Sequence, residues 1–412
     1  MQLGKMLNER ASLGPQQAAY VGTRHVQWDR LVLDELDTMS FSEAEREKFS
    51  LRPGDLLVCE GGEVGRTAMW RGERQNVFFQ KAIHRLRPRD GRVVPAYMLR
   101  FMRFAADRGI YTTLTSQSSI AHLTQEKLAL LKVPLPPAEE QRRISEVLDT
   151  VDDVIQKTEQ LIAKLKQMKQ GLLHDLLTRG VDDTGELRDP ERHPEQFKDS
   201  PLGRIPKTWA TRVLKDITTT ITDGTHQAVV VCSPGADTVP FLYVSCVREG
   251  VIDWTQASAI NRRTYSAISR GREPRVGMIL YTAVGSFGHA AVVDVDQDFA
   301  FQRHLACVFV NEKLAAPAFV SAWLNSSAGR AHADAVAIGN AQKTVTLGAL
   351  GRFPIPMPGL EEQTTIAAQL RALDARVATE RRHLEKTQLL KRGLMEDLLT
   401  GRVRTTVLEA AA

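Results

Sequence analysis

The most regular feature of this chain is a spacing. Ile144, Leu148, Val151, Ile155, Ile162, Leu165, Leu172 and Leu176 fall on a heptad, and Ile366, Leu370, Leu373, Val377, Leu384, Leu394 and Leu398 repeat it towards the C-terminus. Steps of three and four put every member on one narrow stripe of an α-helix, and a narrow apolar stripe between charged flanks is best covered by another like it. The pattern predicts two long helices paired as a coiled coil, with Thr158 and Lys169 interrupting the first stripe. At about 1.5 Å per residue, a helix over residues 139–178 would be about 60 Å long. That exceeds what one globular core uses, so the helix reads as a spacer. Prolines at 134, 136 and 137, and again at 354, 356 and 358, stop each helix from propagating backwards.

Between the helices the period changes. "DLLVCE", "RTAMW", "KAIHRLRP", "PFLYVS", "GMILYT", "AAVVDV" and "HLACVFV" are short, rich in β-branched or aromatic residues and bounded by Gly, Pro or Asp, which predicts strands. "AYMLRFMRFAADR" and "AFVSAWLNSSAGRAHAD" have helical spacing. The expected fold class is α/β (α+β). The expected organisation is a lobe over 1–137, a helix over 138–180, a polar linker over 181–204, a second lobe over 205–358, a second helix over 359–402 and a tail over 403–412.

The two halves are copies. Residues 133–178 laid on 355–400 without a gap give 16 identities in 46 positions, where composition alone would give about three. The pairs include Glu139/Glu361, Glu140/Glu362, Gln141/Gln363, Gly171/Gly393 and the block from Asp175 to Thr178 against Asp397 to Thr400. Upstream, "PGDLLVCEGGEVGRTAM" lies against "VGMILYTAVGSFGHAAV", "FQK" against "FQR" and "PAYMLRFM" against "PAFVSAWL". The same proline turn in the same register twice implies that each lobe meets its helix at the same angle.

Charge and composition narrow the chemistry. Residues 1–137 carry 20 Lys/Arg against 15 Asp/Glu and residues 205–358 carry 14 against 11, whereas 138–204 carry 11 against 15. Two mildly basic lobes on a spacer that is not basic fit nucleic-acid binding, although charge alone does not separate that from plain solubility. The four cysteines have no CxxC spacing and read as buried thiols; no apolar run approaches the length of a membrane helix, which points to a cytoplasmic protein. "EGGEVGR" lacks the Gly-Lys-Ser/Thr ending of a phosphate loop, "VGSFG" lacks the first Gly of a nucleophile elbow, and "DVDQDF" has Phe299 where a calcium loop needs Gly. No HExxH occurs, and no tetrapeptide of the amino-methyltransferase kind. The expectation is a chain that binds and does not catalyse, with no metal site and no cofactor of its own.

The order "VPLPPAEEQRRI…LIAKLKQMKQGLLHDLLTRG", "FKDSPLGRIPKTW…LKDI…ITDGTH", "FPIPMPGLEEQTTI…KRGLMEDLLTGRV" resembles the specificity subunits of type I restriction-modification systems across essentially the whole chain. The resemblance implies two target recognition domains joined by two long antiparallel coiled-coil helices with pseudo-twofold symmetry. Each domain would read one half of a bipartite site on double-stranded DNA, and the helices would set the unread gap. It also implies two modification subunits, which carry S-adenosylmethionine and methylate adenine, and restriction subunits. The first lobe opens at "LGKMLNERASLG" without the "IPKTW" lead of the second, so it is expected to be shortened at that edge. The alternatives are a protein-binding coiled-coil scaffold and a single-chain DNA methyltransferase.

Under that reading, Lys and Arg would hold phosphates and loop side chains would reach base edges, Arg or Lys for guanine and Asn or Gln for adenine. The candidates in the first lobe are Arg24, His25, Glu63, Arg66, Gln80, Lys81, Gln117, Ser118 and Ser119. In the second they are Thr225, His226, Gln227, Arg262, Arg263, Gln302, Arg303, Asn340, Gln342 and Lys343. Arg85, Arg87, Arg89 and Arg92 alternate as a strand would and are further candidates for phosphate.

Overall fold

A computed structural model describes residues 1–115, 122–340 and 342–405. The chain divides into two compact units, residues 1–160 with 381 onward, and residues 161–380. Each unit therefore contains one lobe, the near half of the helix that follows that lobe and the far half of the other long helix. Among the described residues no helix is long and apolar enough to cross a membrane.

In the first unit a four-stranded antiparallel sheet runs in the order Gln2–Leu3, Ile83–Leu86, Leu56–Cys59, Thr67–Met69. In the second the order is the same: Thr218–Asp223, Leu305–Val310, Ile279–Thr282, Ala290–Val292. Beside each lies a three-stranded sheet with one parallel pair, Tyr20–Val21 on Phe78–Phe79 and Phe241–Leu242 on Ala300–Phe301. Leu56–Cys59 and Ile279–Thr282 are buried at every position, which is why they read as continuous apolar runs and not as alternation. The helices Pro95–Asp107 and Pro317–Asn325 pack on Thr67–Met69 and Ala290–Val292, each opening on a proline at its first position, where no N–H is needed.

The long helices span Ala138–Thr178 and Leu360–Leu399. In the first unit Ile144 and Leu148 share a core with Met395, Leu398 and Leu399; in the second Leu173, Leu176 and Leu177 share one with Ile366 and Leu370. Within each unit rising numbers on one helix meet falling numbers on the other, so the helices run antiparallel. Two ion pairs mark the register: Lys391 Nζ to Asp152 Oδ1 and Lys169 Nζ to Asp374 Oδ1, both 2.5 Å. These four residues are two repeat-equivalent pairs, so each copy's Asp takes the other copy's Lys. The charge that interrupts the apolar stripe at Lys169 is thus part of the pairing, as polar seam residues are when they specify register.

The buried stripe departs from the predicted one along the body of the helices and at their far ends. Val151, Ile155, Leu172, Leu373, Leu384 and Leu394 are only half-buried, while Leu173, Leu177, Met395 and Leu399, outside the heptad positions, are buried. Towards its far end each helix packs against a lobe as well as against the other helix, which widens the apolar face.

The repeated Glu-Glu-Gln opening is structural. Gln141 is fully buried; its amide oxygen accepts from Val94 N, and its amide nitrogen donates to Arg92 O and Pro136 O, all at 2.8 Å. Gln363 makes the equivalent bonds, from Ala316 N at 2.9 Å and to Pro358 O at 3.0 Å and Leu314 O at 3.4 Å. One side chain thereby ties the start of the long helix, the proline turn before it and the residues leading into Pro95–Asp107 or Pro317–Asn325. The neighbouring carboxylates brace the far helix ends: Arg404 donates to Glu140, while Glu362 accepts from Arg188, from Trp209 Nε1 at 3.1 Å and from Val181 N at 3.0 Å. The Arg404 hydrogen bond holds the Glu140 carboxyl below the usual carboxylate range.

Other local expectations are revised by packing. The predicted single helix over "AFVSAWLNSSAGRAHAD" is two, Pro317–Asn325 and Ser327–Val336, because Ser326 is extended and its hydroxyl caps the second by accepting from Gly329 N at 3.1 Å. The linker is more than a surface connection: Val181 and Phe197 are buried and Phe197–Ser200 pairs with Gly203–Pro206 as a hairpin. Arg85 and Arg87 do not form a free basic face. Arg87 is bidentate on the buried Asp55, and Arg85 donates to Ser50 O at 2.7 Å with its guanidinium over Phe79.

Candidate nucleic-acid interface

Four loops meet at one end of each four-stranded sheet. In the first unit they are residues 4–7, 60–66, 80–82 and 122–124. Lys5 bridges Gln80 in parallel, Lys81 N donates to Lys5 O at 2.6 Å, Glu60 N to Ala82 O at 2.8 Å and Leu123 N to Glu60 O at 2.7 Å. In the second unit residues 224–227, 283–289, 302–304 and 342–345 meet in the same way. Thr225 bridges Gln302, Arg303 N donates to Thr225 O at 3.1 Å, Ala283 N to His304 O at 2.9 Å and Val345 N to Ala283 O at 2.8 Å. The crossing is backbone on backbone: a Cβ on Gly4 would lie 2.1 Å from Gln80 O, and one on Gly224 2.2 Å from Phe301 O.

The exposed side chains of these loops are mainly cations, amides, imidazoles and a hydroxyl, with the Glu63 carboxylate and the apolar Met6 and Leu7 added in the first unit. Lys81, Arg303 and Lys343 are exposed and make no ion pair among the described residues. Gly285 N donates to Lys343 O at 2.9 Å, which brings residues 342–343 against the 283–289 turn, and Arg248 and Arg330 flank that turn through Ser286 Oγ and His289 Nδ1. Burial, then Arg330 and Arg248, lower the pKa of His289, and burial and Arg303 lower that of His304, so the positive charge here belongs to the arginines. Among the described residues no group of three His, Cys, Asp or Glu side chains is placed to hold a metal ion.

Against this geometry the predicted residues divide. Glu63, Lys81, His226, Gln227, Arg303, Asn340, Gln342 and Lys343 are exposed on or beside the loop cluster, with His226 bonded to Asp223 at 2.7 Å. Gln80 and Gln302 are half-buried at the backbone crossing. Arg66 is partly buried and donates to Thr23 O at 2.8 Å and to Glu63, so it braces the turn; Arg24 is exposed but paired with Asp37 at 2.8 Å. Gln117, Ser118 and Ser119 lie outside the described residues.

Four candidates lie apart from the exposed face of this cluster. His25 is buried: its Nδ1 accepts from Gly22 N at 2.8 Å and closes a tight turn, a place taken in the second unit by the buried Cys246, whose Sγ accepts from Tyr243 N. Thr225 is buried, and its hydroxyl accepts from Gln227 N at 3.1 Å. Arg262 sits at the Thr238 end of the Thr238–Leu242 strand, opposite the Gln302 end, and is paired with Asp298 at 2.7 Å; Arg263 follows it on the same short helix. Trp28, Arg248 and Ser286, which were not among the sequence candidates, also lie at this loop end, Trp28 donating to Glu63 and Arg248 to Ser286. The alignment of "EGGEVG" with "AVGSFG" would have found Ser286, because it sets Ser286 opposite Glu63.

Comparison with known proteins finds relatives over most of the chain. The putative type I restriction enzyme MjaX specificity subunit of Methanocaldococcus jannaschii is 25% identical over 367 residues, 87% of this chain and 80% of that protein. The type I restriction enzyme EcoBI specificity subunit of Escherichia coli is 27% identical over 265 residues, 63% of this chain and 55% of that one. Among solved structures, a chain from a type I restriction-modification system studied for complex assembly and conformational transition shares the fold, with a TM-score of 0.58 at 15% identity over 97% of this chain and 95% of that chain. The S subunit of a type I system from M. genitalium does so with a TM-score of 0.53 at 13% identity, over 97% and 92%. The family model for the type I restriction modification DNA specificity domain matches twice, at residues 35–167 and 206–388, once on each copy of the repeat and over well more than half of the chain. The chain therefore belongs to the family of type I restriction-modification DNA specificity proteins, and its two lobes are the DNA sequence-specificity domains.

Proposed function

We propose that each lobe reads one half of a bipartite site on duplex DNA through its four-loop end, while the paired helices set the length of the unread gap. The chain itself is non-catalytic and cytoplasmic; the chemistry belongs to two modification subunits, which bind S-adenosylmethionine and methylate adenine, and to restriction subunits that join them. The observation that carries this reading is the repeated loop cluster, with the same hydrogen bonds in both units and different side chains on its exposed positions. A shared scaffold with divergent tips is what reading two different half-sites requires, because strands fix the lobe while loops vary.

Two equivalent docking places for two copies of one partner fit the duplication of the helices. Met168 and Leu390, at repeat-equivalent positions, are both large apolar residues with about half of their surface exposed, 52% and 56%. The test is to express the chain with its methyltransferase subunit and map methylated adenines across a genome. The expected result is a motif of two short halves with a constant gap; a single uninterrupted motif, or methylation independent of this chain, refutes the proposal.

A further inference from the structure

The two lobes close the same hairpin with the same turn and arm it differently. Cys59 N donates to Arg66 O at 2.8 Å and Gly65 N to Cys59 O at 3.0 Å; in the second unit Thr282 N donates to His289 O at 2.8 Å and Gly288 N to Thr282 O at 3.0 Å. Gly62 and Gly65 have φ of 73° and 80°, and Gly285 and Gly288 of 76° and 88°, values that side-chain-bearing residues avoid. The turn is therefore built by glycine in both lobes, and Glu63 stands where Ser286 stands.

Each tip residue is held from the equivalent neighbouring hairpin. Trp28 Nε1 donates to Glu63 Oε1, and Arg248 Nη2 donates to Ser286 Oγ at 3.4 Å. Arg66 donates to Glu63 Oε2 at 3.4 Å while anchored on Thr23 O, so the Glu63 carboxylate is braced on both oxygens and still 56% exposed.

We propose that this turn is a base-reading tip in both lobes, and that Glu63 accepts a major-groove hydrogen bond from an exocyclic amino group, cytosine N4 or adenine N6. This rests on the DNA-reading role proposed above. A carboxylate on the end proposed to face DNA gains nothing from phosphate, which repels it, so it adds no backbone affinity. Guanine O6 and N7 and thymine O4 are acceptors and repel it as well, which leaves the amino groups as partners. A carboxylate has about four lone-pair sites, so Trp28 and Arg66 leave room for a further donor. Their grip also orders the side chain before DNA arrives and lowers the cost of fixing it on binding. Ser286, donor and acceptor together, is a different reader at the same place.

The test uses the chain assembled with its methyltransferase subunit. The wild-type motif is mapped first. Duplexes carrying it are then made with one amino group deleted at a time in the half-site that Glu63→Gln or Glu63→Ala relaxes, adenine replaced by purine or cytosine by pyrimidin-2-one. At one base pair, deletion should weaken the wild-type complex about tenfold or more and leave Glu63→Ala unaffected, and the analogue that does so identifies the base. Ser286→Ala should relax only the other half-site. An unchanged methylation motif in both Glu63 variants overturns the proposal, as does an equal loss in wild type and Glu63→Ala at every deletion. Uniform weakening on all duplexes makes Glu63 a structural brace and overturns it too. A wild-type map without a bipartite motif is a separate result, which removes the half-site reading itself.

Discussion

The buried amide at the start of each long helix is where a single substitution should be most informative. Gln141→Leu keeps the size of the side chain but removes a donor-acceptor group serving Val94 N, Arg92 O and Pro136 O at a position with no solvent exposure. An N–H left without a partner costs about 1–3 kcal/mol when no water reaches it; carbonyls, with two lone pairs each, suffer less, and the leucine recovers some of the loss through apolar burial. Val94 is only half-buried, so water recovers a further part, and the expected net destabilisation is about 1–3 kcal/mol. Gln363→Leu should cost slightly less, since its bond to Leu314 O is already long at 3.4 Å. Denaturant unfolding reads this as a lower midpoint at unchanged slope. Gln141→Glu adds a check on mechanism. The carboxylate can still accept from Val94 N but faces two carbonyl oxygens, so its folded-state pKa is raised; relative stability is then greatest below the unfolded value and is lost as pH rises through the folded one. A loss below about 1 kcal/mol in Gln141→Leu, or a Glu variant least stable at low pH, would refute the assignment of this amide as the tie between lobe and helix.

Three further outcomes are expected. In the Lys169 to Asp374 pair the lysine is about three-quarters buried and the aspartate half-exposed, so Lys169→Glu should destabilise by about 1 kcal/mol and Asp374→Lys in the same chain should restore most of it; a coupling near zero in that double-mutant cycle rejects the pair as a register mark. Lys81→Ala and Arg303→Ala should each weaken binding to all duplexes about equally and reduce the slope of log affinity against log salt by about one; a change confined to one base position would reassign them as readers. Adding about four residues, near one helical turn, to the 139–178 helix and the matching turn to its partner should lengthen the unread gap with both half-sites kept, which a methylation map reads directly.

Much of this protein was legible before any coordinates. The heptad stripes appear as two helices of 41 and 40 residues, and the strand-like runs appear as strands because both faces of those strands are covered. The repeated "FQ" step and Glu-Glu-Gln opening each mark a place where the two copies make the same contact. The candidate site was less legible. His25 and Thr225 carry the polar groups a reader needs, but they use them to close turns within a few residues of themselves. Arg87 has the right charge and period for a basic face, and its partner Asp55 lies 32 positions away. Trp28 and Glu63 are 35 apart, and nothing in either segment alone announces their contact.

The sequence by itself determined the duplication, the helical period, the strand-rich lobes and the family, because each is written in residue types at short, regular spacing, which local backbone geometry converts directly into structure. Only the tertiary structure decided which polar residues of the loops face outward and which brace the fold. That outcome depends on loops far apart in the chain being carried to the same end of a sheet, where a hydrogen-bond partner either is or is not within 3 Å.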